Sequence, residues 1–83
     1  MTPQLFREAG GQWLVEVLSQ GREGLMHTYR LRVIEMLRAP CHVRPLAIGH
    51  EFTVGCAGNG YCGWSLTDPR PEDVAYYRQN PRN

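Results

Sequence analysis

Apolar and polar residues alternate along two runs in the first half of the chain. Over residues 12–19, Trp13, Val15 and Val17 take turns with Leu14, Glu16 and Leu18, the two-residue period of a strand with distinct faces. Over residues 26–37, Tyr29, Leu31 and Val33 fall on one face, and Arg30, Arg32, Ile34 and Met36 on the other. The glycine-bounded polar stretch of residues 20–24 between them suits the loop of an antiparallel hairpin. A short strand is expected at residues 51–54, entered through Gly49. Gly55, Gly58, Asn59 and Gly60 then supply a turn, and residues 61–66 would return as its hairpin partner.

The ends read as helical. Thr2-Pro3 offers a hydroxyl cap with proline in the first turn, and Leu5, Phe6 and Ala9 give a short apolar face. Gly10-Gly11 would stop that helix, since two glycines cost about 2 kcal/mol relative to alanine. An alternative is one helix continuing through Ser19, with Phe6, Ala9, Trp13 and Val17 as its stripe. Near the other end, Thr67-Asp68-Pro69-Arg70-Pro71 opens a helix over residues 72–79. Acidic Glu72 and Asp73 lie in its first turn and Arg78 in its last, with Val74, Tyr76 and Tyr77 placed to dock it. The expected fold is α+β: a small antiparallel sheet of about four strands, with a short N-terminal helix and a C-terminal helix. At 83 residues it forms one domain, 1–83, with residues 79–83 as a frayed tail.

Composition narrows the functional classes. Hydrophobic residues make up 42% and charged residues 20%, a globular rather than disordered balance. Nine basic residues, all arginine, stand against eight acidic ones for a net charge of +1. That balance argues against a general nucleic-acid binder. The sequence shows no membrane span and no signal peptide, so a cytoplasmic protein with reduced cysteines is expected.

Chemistry-bearing residues crowd into the middle. Cys41, His42, Cys56 and Cys62, with His50, could converge on zinc, although the usual two-residue cysteine spacing is absent. Cys41 and Cys62, activated by His42 or His50, could instead be reactive thiols, or simply small apolar fillers. A Cys-His catalytic pair needs a third group to orient the imidazole. Glu51 cannot orient His50, because neighbouring strand residues face opposite ways. Trp64 and Tyr61, with Trp13 and Phe52, could line a ligand pocket or belong to the core. Arg44 with the backbone of residues 55–60 could hold a small anion.

Tyr29 to Glu35, Cys41, Gly49-His50-Glu51-Phe52-Thr53-Val54 and Gly60-Tyr61-Cys62-Gly63-Trp64 together resemble a group of short, largely uncharacterised prokaryotic proteins. Their pattern is a long strand, a cysteine, Gly-Asp-Glu-Phe-x-Val, and Gly-x-Cys-Pro-Trp before a final helix. His50 replaces the pattern's aspartate and Gly63 its proline. The resemblance spans about residues 29–66 and implies that Cys41 and Cys62 lie on neighbouring elements; it carries no activity. The sequence thus points to a binding or accessory module that acts through a protein partner, as a homodimer, without a cofactor and without an assigned reaction. The alternative is a thiol- or metal-dependent activity centred on Cys41 and Cys62.

Overall fold

The computed structural model describes residues 3–57 and 62–80. Five strands and one helix follow in order: β1 (Pro3–Glu8), β2 (Gly11–Glu23), β3 (Met26–Arg38), β4 (Glu51–Ala57), β5 (Trp64–Thr67) and α1 (Pro71–Gln79). All strands join one antiparallel sheet in the order β4-β3-β2-β1-β5. The expected α+β fold with about four strands and an N-terminal helix is therefore corrected to a five-stranded sheet carrying α1 alone. Residues 3–8 form a strand because both faces of β1 are covered. Leu5 packs towards α1 while its neighbour Phe6 enters the opposite core. Two adjacent apolar residues are ambiguous in sequence; a strand buried on both sides uses both.

Gly10 also turns the chain rather than ending a helix. Glu8 pairs with Gly11, leaving Ala9 and Gly10 as a two-residue turn with φ of 50° and 78°. Positive φ at both positions is the mark of a type I′ hairpin, whose twist matches its strands. Gly11 must remain bare, because an added Cβ would lie 2.5 Å from the Trp13 ring and 2.9 Å from Pro40. Ala9, in contrast, carries a left-handed conformation that costs an L-residue about 1 kcal/mol. Ala9→Asn, which creates the preferred Asn-Gly turn, is expected to gain about 0.5–1 kcal/mol. A higher urea midpoint at unchanged m would show it; a lower midpoint would contradict the turn assignment.

The second hairpin is longer than expected. Residues 20–23 continue β2 instead of forming a loop, Glu23 pairs with Met26, and only Gly24-Leu25 turn. Register shifts interrupt the β2–β3 ladder between Gln12 and Trp13, Leu14 and Val15, and Val17 and Ser19. Such bulges bend a sheet and change which face later residues occupy. Leu31 and Val33 face the main core, yet Leu37 joins Leu5 and Leu14 on the other side.

That bending brings the end of β4 to the segment that leads into β5. In a flat sheet β4 and β5 would stand about 19 Å apart, four strand spacings of about 4.8 Å. Instead Cys56, near the end of β4, is bonded to Cys62, just before β5, with Cα atoms 5.4 Å apart. Following the pairings inward, Trp64 leads through Glu8 to Gly11, while Cys56 leads through His27 to Arg22. Those residues lie near opposite ends of β2, the stagger required when a tilted sheet closes on itself. The result is a small, incompletely closed barrel. The expected hairpin between residues 51–54 and 61–66 is replaced: β5 pairs with β1, not with β4.

Phe6, Trp13, Val15, Leu31 and Val33 fill the barrel. On the outside, Val74 and Tyr77 of α1 dock on Leu5, Leu14 and Leu37, as their spacing led us to expect. Polar contacts fix the helix. Arg78 grips Glu35 of β3 with two hydrogen bonds, 3.0 and 2.7 Å, and Arg38 lies 4.8 Å from the Tyr77 ring centre. The hydrogen bond from Arg78 holds the Glu35 carboxyl below its ordinary pKa, despite a smaller opposing effect of burial. A carboxyl depressed on folding stabilises the native state above its unfolded pKa, and that contribution disappears as pH falls through the folded value. The melting-temperature difference between the parent and Glu35→Gln should therefore hold from pH 7 down to the ordinary carboxylate value and shrink towards zero as pH falls below it, through the depressed folded value. A difference that stays constant with pH would mean that the ion pair does not anchor α1.

Candidate functional site

The sequence-predicted residues divide between two places. One is the irregular segment after β3. Cys41, His42 and Arg44 are exposed there, and His42 has a positive φ of 62°. The Cys41 backbone N–H donates to Ala9 O at 2.8 Å, which ties this segment to the first turn. His50 closes the segment. Its carbonyl accepts the Val33 N–H at 3.0 Å, and its ring stacks on Phe52 with centres 5.8 Å apart. Backbone pairing and ring stacking thus hold His50 in place. Glu51 interacts with Arg30 at 3.5 Å, and Arg32 forms an ion pair with Glu16. The arginine-bearing outer face of β3 is a ladder of opposite charges.

The other place is the seam between β4 and β5. Here the Cys56–Cys62 disulfide pins the edges. Cys62 is therefore joined to Cys56, not to Cys41. Cys41 instead reaches the Ala9 turn, across which Cys62 lies in a shared cleft. The Trp64 indole N–H donates to Gly55 O at 3.2 Å across the seam. Its ring sits 6.0 Å from both Phe6 and Tyr29, while Phe52 meets Phe6 at 5.3 Å. Trp64 and Phe52 are part of the core's aromatic cluster and also border the opening. Tyr61, the other expected ligand-binding residue, lies outside the described residues, as do Gly58, Asn59 and Gly60 of the expected anion-binding turn.

Burial is uneven around the barrel. Phe6, Val15, Leu31 and Val33 are sealed, whereas Tyr29, Phe52, Val54, Trp64 and Leu66 are only half-buried. Most of the half-buried residues come from the two seam strands. Beside the seam, residues 7–10 and 62–65 line an open cleft of about 330 Å³. Arg7 and Ser65 in this cleft escape notice in sequence. Neither stands near the cysteines in the chain, and only the β1–β5 pairing places them opposite each other.

Compared with protein families, curated proteins and solved structures, the chain matches none. The site must therefore be interpreted from its own chemistry. Gly63 has a φ of 74°, whereas proline is fixed near −65°. The proline of the Gly-x-Cys-Pro-Trp pattern could not occupy this backbone conformation. Among the described residues, no three His, Cys, Asp or Glu side chains gather as a metal set. The Cys56 and Cys62 sulfurs are bonded to each other rather than available as thiolates. Also among the described residues, no helix is long and apolar enough to cross a membrane.

Proposed function

We propose that the protein is a binding module whose protein partner adds an extended segment along the seam between β4 and β5. The half-buried apolar residues on both sides of that seam carry this reading. Strand direction supports it. Each neighbouring pair in the sheet is antiparallel, so β4 and β5 run the same way. A strand running opposite to both could pair with the free edge of β4 up to the Cys56–Cys62 clasp, where the Cα atoms are 5.4 Å apart, about one strand spacing. Strand addition supplies backbone hydrogen bonds, and alternate side chains reach the pockets behind. The partner segment should therefore alternate apolar residues, facing Phe52, Val54 and Leu66, with polar residues facing water.

Residue-resolved amide exchange on the monomeric protein tests this proposal. Seam-facing amides of β4 and β5 should exchange at least tenfold faster than those of β2. If protection rises with protein concentration as the mass doubles, the strand comes from a second copy, which is the homodimer. Strong protection of both seam edges in a proven monomer would defeat the proposal.

A second reading is a thiol–disulfide sensor, favoured by the position of Cys56–Cys62 on the seam. In the cytoplasmic setting expected from the sequence, reducing conditions would make that bond reversible. Reduction would then unclasp the binding edge. Partner binding unchanged by reductant would remove this reading.

A further inference from the structure

The Trp64 contact reveals which backbone groups of β4 stay open. The indole N–H reaches Gly55 O from across the seam, so the Gly55 carbonyl points away from β3. Along an antiparallel strand, the backbone groups of successive residues point alternately to one neighbour and the other. Thr53 and Glu51 therefore also turn their N–H and C=O outward. The alternate set faces β3, as the His50 carbonyl does in accepting the Val33 N–H. β4 stands last in the sheet order, so among the described residues no strand takes up the outward groups. The usual devices that blunt an edge are missing as well. Residues 51–57 contain no lysine or proline, and their pairing with β3 runs without a register shift.

The side chains of β4 have the pattern that this edge asks of its partner. Phe52 and Val54 pack on the barrel core. Glu51 and Thr53 alternate with them and lie on the outer face, opposite Arg32 and Arg30 of β3. Arg30 donates to the Thr53 hydroxyl at 3.2 Å and lies 3.5 Å from the Glu51 carboxylate. A net charge of +1 leaves little repulsion between two copies.

We infer that the segment added to β4 is β4 of a second copy, antiparallel to the first about a twofold axis at Phe52. This inference rests on the strand-addition reading above and supplies its partner. The register follows from the groups left open. Gly55 O is engaged and Cys56 is clasped, so the pairing uses Glu51 and Thr53. Glu51 stands opposite the partner's Thr53, and Thr53 opposite the partner's Glu51, each pair exchanging both N–H···O bonds. Across the joined outer faces the order is Arg30, Thr53, the partner's Glu51, the partner's Arg32. A carboxylate thus lies between two arginines, and no like charges are directly opposed. On the inner face Phe52 meets the partner's Phe52 as a non-hydrogen-bonded pair, the closer kind. That contact extends the ring cluster in which Phe52 touches Phe6 and His50. Because the strands are antiparallel, the two clasps fall at opposite ends of the paired stretch and leave it clear.

Sedimentation of the full chain and isotope-filtered NMR on an equal mixture of labelled and unlabelled protein test this pairing. The mass should double between about 1 µM and about 1 mM, the range of a small interface. The filtered spectrum should show the Phe52 Hα in contact with the partner's Phe52 Hα. Thr53→Asp keeps a partner in its own Arg30 but sets a carboxylate opposite the partner's Glu51. It should weaken the dimer about tenfold, since both symmetric pairs are affected, and adding Glu51→Gln should recover most of the loss. Thr53→Pro removes an outward N–H that β3 does not use, and should weaken the dimer at least as much. Circular dichroism separates a lost dimer from a lost fold, and either Thr53 variant suffices if the other unfolds. A dimer of parent strength in a folded Thr53 variant would overturn the inference. So would a chain that stays monomeric at about 1 mM. In that monomer, fast exchange of the Glu51 and Thr53 amides would leave the strand-addition reading standing, whereas slow exchange would defeat both.

Discussion

Phe6→Ala is expected to destabilise the protein by about 3–5 kcal/mol, the usual cost of emptying a buried aromatic site. Phe6 is fully buried, and its ring contacts those of Trp13, Phe52 and Trp64, with centres 5.7, 5.3 and 6.0 Å away. It therefore joins β1, β2, β4 and β5 around one side chain. A domain of this size has a total stability of only about 4–12 kcal/mol, so the melting temperature should fall on the order of 20 °C. Ile48→Ala is the control, because Ile48 is mostly exposed, and its cost should stay within about 0.5 kcal/mol. Similar losses for the two variants would show that Phe6 does not hold the barrel together.

The second large effect belongs to the disulfide. Cys56 and Cys62 are six positions apart, and releasing a loop that short restores chain entropy worth about 2 kcal/mol to the unfolded state. Replacing both by serine should lower the melting temperature by about 10 °C. Reductant should lower the parent's melting temperature similarly and leave the double variant unchanged. Cys41→Ser lies outside the clasp and should keep the response to reductant. If reductant had no effect on the parent, the two sulfurs would not be joined in solution.

The middle of the fold was legible because β2 and β3 each keep one face in the barrel. Trp13, Val15 and Val17, with Leu31 and Val33, show the two-residue period that burial on one side imposes. The final helix was legible from its charges and from Val74 and Tyr77. The N-terminal strand was not, because Leu5 and Phe6 are both buried, and two covered faces erase alternation. Strand pairing at the edges was also hidden. Residues 51–66 look like a local hairpin, but the bulges in β2 and β3 coil the sheet until β5 can pair with β1. A bulge leaves no composition signal in a run of apolar residues.

The candidate site shares that history. The sequence singled out cysteines and Trp64 from residue type alone, and the fold places Cys56, Cys62 and Trp64 at one seam. The resemblance put Cys41 beside Cys62, but which cysteines join depends on curvature, and the coiled sheet joins Cys62 to Cys56. Arg7 and Ser65 were invisible for a related reason. They face each other across strands whose paired residues, 7 and 65, lie 58 positions apart in sequence.

The sheet coils until the end of β4 is clasped to the start of β5, leaving the two edges unpaired with each other. Nuclear Overhauser contacts from the Trp64 indole and from the backbone of residues 51–57 and 64–67 measure this directly. We predict contacts from the indole to Tyr29, Phe6 and Gly55, together with a β1–β5 ladder in which Glu8 faces Trp64. A continuous backbone ladder joining residues 51–57 to residues 64–67 would contradict it, since β4 and β5 would then be an ordinary hairpin with no seam to fill.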